Sequence, residues 1–192
     1  MIHFIRYTLL FFAIYSTFLF DAESINAQLA ETQLKSLVLK DESLVVAGIG
    51  TTGLVLGMME KEVVLIKGKP FLKTEKVDQD LLADVLKVRV IMKLPFTHLY
   101  IYDNSNVIIG FSGDIVTFIL VWHPQGVLID GIPLSKGIAS IVFNYGNDGL
   151  TVINDEKSSL YFYLERGVSF IDENGDNSVD GVLIFEKVVI KK

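Results

Sequence analysis

Apolar residues fall in short runs along most of the chain, and clusters of polar turn residues interrupt them about every ten positions. The runs at 36–40, 43–48, 53–58, 62–67, 88–93, 97–102, 106–111, 114–122, 126–129, 138–143, 149–153, 159–164, 167–171 and 182–190 are rich in Val, Ile, Phe and Tyr. Such side chains fit a pleated, half-buried surface, so each run predicts a β-strand. DNSN, SGD, HPQG, NYGNDG, NDEKS and ERG supply the turns between them. Several runs, LYFYL among them, are apolar on both faces, which predicts strands packed between layers. Short connections favour antiparallel neighbours, because parallel pairing needs a long crossover.

Two segments predict helix. Residues 27–33 suit a short helical turn. Residues 78–87 (DQDLLADVLK) are the stronger case: Asp78 can cap the start, Asp80 sits where the helix dipole favours an anion, and Leu81, Leu82, Val85 and Leu86 share a face. The basic KGKPFLKTEK before it reads as a connecting loop, and a boundary between two parts of one domain falls near Lys87. No repeat of fixed length stands out. The expected fold is mainly β, with antiparallel sandwich-like or meandering sheets and one short helix around 78–87.

The first residues have a different pattern. MIHFIR carries one Arg, the fourteen residues at 7–20 carry no charge, and DAESINAQLA is polar with small residues. That order is the order of a secretory signal peptide, with cleavage after Ala27, or else after Ser24. The apolar run is shorter than the roughly 20 residues of a spanning helix. An uncleaved N-terminal anchor through residues 7–20 is the alternative. The expected organisation is a signal segment over 1–27 and a single β-rich domain over 28–192, in a secreted or periplasmic protein or a membrane-anchored one.

Composition narrows the function. With 192 residues, of which 51% are apolar, the chain can bury a core. A net charge of −6 argues against a nucleic-acid partner, which calls for a basic face. The chain has no cysteine, which removes disulfides, thiolate metal sites and a cysteine nucleophile together.

The densest candidate chemistry is FIDENGDNSVDGVLIF, residues 170–185. Counting from Asp172, side-chain oxygens stand at positions one (Asp172), three (Asn174), five (Asp176) and nine (Asp180), and the backbone carbonyl of Ser178 could add another. Calcium takes six to eight hard oxygens at about 2.3–2.6 Å in tolerant geometry, which a tight loop with alternating ligands can supply. Without a cation, these carboxylates and Glu173 repel one another; the nearest cationic side chains along the chain are Arg166 and Lys187. Gly175 and Asn177 suit the left-handed angles of such a bend. A solvated hairpin turn, with Asp and Asn present for turn chemistry, is the alternative.

D-E-N-G-D-N-S-V-D resembles the calcium loop of the FG-GAP repeats of integrin-type β-propellers, D-x-[DN]-x-D-G-x-x-D between two strands. It is also similar to the first part of EF-hand and dockerin loops. Asn177 stands where those loops carry glycine. Leu183 stands at the acidic twelfth position of an EF-hand, and a strand rather than a helix follows. The resemblance therefore implies a strand–loop–strand calcium site at Asp172, Asn174, Asp176, Ser178 and Asp180, with a structural rather than catalytic role.

Other motifs carry less. GIGTTG (Gly48, Gly50, Gly53) has dinucleotide-fingerprint spacing, but too few residues follow before the next apolar run for a crossover helix, so a glycine hairpin is the better reading. His3, His98 and His123 show no paired metal-ligand spacing. Tyr100 with Tyr102, and Tyr161 with Tyr163, each share a strand face; sheet packing is favoured over an aromatic binding surface. No nucleophile elbow is present. These features predict an exported binding or structural protein of the cell envelope, acting on an unidentified extracellular or envelope ligand. A membrane-tethered protein and a hydrolase assembled from scattered loops are the alternatives.

Overall fold

The computed structural model describes residues 27–75, 96–154 and 158–188. The chain forms two compact units, Met1–Ser36 and Leu37–Lys192. In the first, the described residues 27–36 are helical and mostly exposed, with a Lys35–Glu31 ion pair of 2.7 Å. The predicted signal segment, the helix at 78–87, the strand at 88–93 and the boundary at Lys87 lie outside the described residues, apart from Ala27 at the end of the first. Among the described residues, no helix is long and apolar enough to cross a membrane.

The second unit is mainly β. Its largest element is an eight-stranded antiparallel sheet of β4 (Leu72–Glu75), β5 (His98–Tyr102), β6 (Val107–Ser112), β7 (Ile115–Trp122), β9 (Leu150–Asn154), β10 (Ser159–Tyr163), β11 (Val168–Asp172) and β12 (Gly181–Phe185). The spatial order is β4-β5-β6-β7-β12-β11-β10-β9. Two meanders thus meet back to back where β7 pairs with β12, from Gly181 opposite Trp122 to Phe185 opposite Phe118. A four-stranded sheet holds β1 (Leu44–Val46), β2 (Gly50–Thr51), β3 (Leu54–Val55) and β8 (Val127–Leu128). There β1 and β8 run parallel, an exception to the expected antiparallel pairing.

Three apolar runs expected as strands are helices. Residues 27–40 form α1, which absorbs the predicted strand at 36–40; Glu60–Lys67 is α2 and Ile138–Tyr145 is α3. In α2, the Glu62 carboxylate accepts the Met59 backbone N–H at 2.8 Å and so satisfies a donor that the helix start leaves over. In α3, the buried residues are Ile138, Ile141 and Tyr145, a helical and not a strand spacing. Conversely, β4 lies in the basic segment read as a loop, and of the run at 182–190 the described residues 186–188 are not strand, β12 ending at Phe185.

The two meanders repeat one plan: a helix, then four strands. The first N–H of each helix donates to a hairpin carbonyl: Glu60 to Asp114 O (2.8 Å), Ile138 to Asn177 O (3.0 Å). Each helix ends on a glycine at positive φ, Gly68 at 81° and Gly146 at 78°. Each of these glycines has its carbonyl bound by a strand tyrosine, Tyr102 Oη at 3.1 Å and Tyr163 Oη at 3.0 Å. Buried Val63 in α2 corresponds to buried Ile141 in α3. This duplication is absent from the spacing of the sequence because a long segment separates β4 from β5, whereas only four residues separate β9 from β10.

One face of the large sheet carries α2 and α3 on Tyr100, Tyr102, Tyr163 and Phe170. The other is lined by Leu99, Ile108, Phe118, Leu120, Leu160, Phe162, Ile171, Leu183 and Phe185, all buried. Gly110 is required there: a Cβ would lie 2.1 Å from the Phe118 ring.

Candidate metal centre

The acidic loop joins β11 to β12, where the first meander has a turn at Gly113 and Asp114. Asp172 ends β11 and is 4% exposed, so its carboxylate is held inside the bend. Its Oδ1 accepts the N–H groups of Gly175 (2.7 Å) and Asp176 (3.1 Å), and its Oδ2 accepts that of Asn177 (3.0 Å). Asp180 closes the loop. Its Oδ2 accepts the Glu173 N–H at 2.7 Å and its Oδ1 the Ser178 hydroxyl at 2.9 Å. Its backbone N–H donates to Ile171 O at 2.8 Å, and its carbonyl accepts the His123 N–H at 2.6 Å. Gly175 at φ 70° and Asn177 at φ 71° make the left-handed steps.

These bonds turn the carboxylates of Asp172, Asp176 and Asp180 toward one another. One ligand atom from each lies within 4.8 Å of the others. Asp176 is exposed, and the hydroxyl and then the backbone N–H of Ser178 hold its carboxyl below the usual carboxylate range. Asn174 is exposed at the tip of the loop, and Ser178 is half-buried between Asp176 and Asp180. An ionised carboxylate offers about four acceptor positions. Asp172 spends three of them on backbone N–H groups, while Asp176 and Asp180 keep more free. A set made only of oxygen suits a hard cation such as calcium, not a soft metal.

Asn177 has a second duty that sequence reasoning missed. Its carbonyl accepts the Ile138 N–H and its Oδ1 accepts the Ala139 N–H at 2.7 Å, so the loop caps α3. Glycine, the residue of the resembling loops, would supply the carbonyl and lose the side-chain cap. Gly137 lies so close to Asn177 that a Cβ would sit 2.4 Å from its carbonyl oxygen. A cleft of about 340 Å³ opens beside the loop, lined by Pro124, Gln125, Lys136, Asp176, Asn177 and Ser178 among others. Arg166 faces elsewhere, stacked 4.4 Å over the Tyr145 ring.

The remaining motifs resolve into structure. The glycines of GIGTTG build two tight turns: Gly48 at φ 67° between β1 and β2, and Gly53 at φ 74° between β2 and β3, so strand β3 and not a helix follows the motif directly. His123 takes φ 49° at the end of β7. His98 is buried and stacks on Phe111 at 5.0 Å. A second polar cluster, not anticipated from sequence, forms around Glu60 at the start of α2. Its carboxylate accepts the Tyr100 hydroxyl, meets His98 Nε2 at 3.2 Å and pairs with Lys73 Nζ at 3.4 Å. The Tyr100 bond, supported by Lys73 and opposed by partial burial, lowers the Glu60 pKa. The cluster joins two separate strands and a helix, so no local spacing announces it.

No family model matches the chain, and no curated protein matches it. A solved extracellular protein containing a SCP domain, from Bacillus anthracis str. Ames, is similar over 68% of this chain and 44% of that one, with 10% identity and a TM-score of 0.42.

Proposed function

We propose that the chain is an exported binding or structural protein of the cell envelope, without catalytic activity, whose β11–β12 loop holds a calcium ion. The observation that carries the metal reading is the convergence of Asp172, Asp176 and Asp180 within 4.8 Å. Like charges brought this close favour a cation between them. Asn174 and the Ser178 carbonyl, with water, would complete an oxygen shell. Export rests on the charge and apolar pattern of residues 1–27. The ion's role is to brace the hairpin and, through Asn177, the start of α3.

Thermal melts of the purified chain in millimolar calcium, and then in chelator, test the reading. A ligand that binds only the native state stabilises it, by about 1.4 kcal/mol at ten times Kd. The wild type is expected to melt higher in calcium. Asp176→Ala is expected to lose that response while staying folded, because Asp176 is exposed and its carboxylate bonds only within the loop. Equal melting temperatures of the wild type with calcium and with chelator overturn the proposal. They leave the second reading, favoured by the three N–H groups on Asp172: a loop that braces itself without an ion.

A further inference from the structure

The two edges of the eight-stranded sheet are built differently, although the halves that carry them repeat one plan. At the β4 edge, Lys73 and Glu75 are exposed, Thr74 is 4% exposed, and Lys73 lies over the Tyr100 ring at 5.2 Å while pairing with Glu60. Charged residues of this kind guard an edge against unwanted pairing. At the other edge, β9 reads LTVIN, with no charge, proline or bulge. Thr151, Val152, Ile153 and Asn154 are all exposed, Val152 at 42% and Ile153 at 41%. Among the described residues, no strand pairs with the outer side of β9.

Val152 and Ile153 are neighbours, so they point to opposite faces of the sheet. Each continues an apolar row that runs unbroken to the edge. On the helix-bearing face, Val152 stands opposite Tyr161, and Tyr161 opposite Phe170. On the other face, Ile153 stands opposite Leu160, and Leu160 opposite Ile171. A strand added here must therefore bring one apolar side chain to each face. β9 itself has that composition. Laid antiparallel on a second β9 about Val152, it sets Val152 against Val152, and Thr151 against Ile153 in both directions. These are β-branched cross-strand pairs, and the arrangement is self-complementary, as an isologous contact requires.

We propose that β9 is a docking edge for a second copy of this chain, the two strands pairing antiparallel about a two-fold axis at Val152. The pairing extends the eight-stranded sheet across the axis and covers Val152 and Ile153 on both faces. It does not depend on the calcium loop.

Sedimentation of the purified chain across a concentration series tests the proposal. The wild type is expected to double in mass with rising concentration. Val152→Lys is expected to stay monomeric with an unchanged circular dichroism spectrum, since the residue is exposed. The chain has no cysteine, so Val152→Cys introduces its sole thiol. A short thiol-to-thiol crosslinker is expected to convert that variant to a covalent dimer and to leave Glu75→Cys, on the opposite edge, monomeric. A wild type that is monomeric throughout, a dimer that survives Val152→Lys, or equal crosslinking of the two cysteine variants overturns the proposal.

Discussion

Glu60 serves three partners with one carboxylate: the Tyr100 hydroxyl, the His98 ring and the Lys73 ammonium. All three favour its ionised form when they donate, so its pKa in the folded protein lies below the ordinary value of 4.5. A carboxylate whose pKa is lowered by folding stabilises the protein above its unfolded value. That contribution is lost as pH falls through the lowered one. Melting temperature is therefore expected to drop as pH falls below about 4. Glu60→Gln should show a shallower drop than the wild type over that window, and identical acid limbs would contradict the assignment. Burial raises the Tyr102 hydroxyl to about 12, so it remains a donor to Gly68 across the whole range.

At the scale of elements, the helix ends show what holds each meander together. Tyr102 and Tyr163 occupy matching places and bind matching carbonyls. Replacing either by Phe leaves a glycine carbonyl without its tyrosine donor and is expected to cost roughly 0.5–1.5 kcal/mol. Urea unfolding should give similar losses for the two variants, and a silent Tyr163→Phe would argue against the shared plan. Most strands were legible because Val, Ile, Phe and Tyr cluster between turn residues; β5, β6, β7, β9, β10 and β11 fall within a residue or two of their predicted limits. The helices α2 and α3 were not, because EVVLIK and IASIVF are as β-branched as the strands beside them. Their signals were local: Glu62 three residues after Met59, Gly68 and Gly146 at the ends, and the Ile138, Ile141, Tyr145 stripe. In the candidate site, the acidic positions were legible from their spacing. The capping role of Asn177 was not, since α3 lies far off in sequence.

At the scale of the whole molecule, the two meanders share a single seam. β7 and β12 pair over five residues, and the apolar face from Leu99 to Phe185 crosses that seam without interruption. Neither meander can separate without exposing it, so unfolding of Leu37–Lys192 is expected to be one cooperative transition. The sole tryptophan, Trp122, stands at the seam opposite Gly181. Its fluorescence should change with the same midpoint as the far-ultraviolet circular dichroism. Two separated midpoints would mean that the halves unfold independently. The duplicated plan also shows which part of the acidic bend the scaffold uses. Asp114 shows that a single peptide oxygen is enough to start a helix from a neighbouring hairpin. In the second half the same service comes from Asn177, and the other residues of its longer bend are released from it. A change of charge at Asn174 or Asp176 therefore leaves both helix starts with the oxygen that begins them.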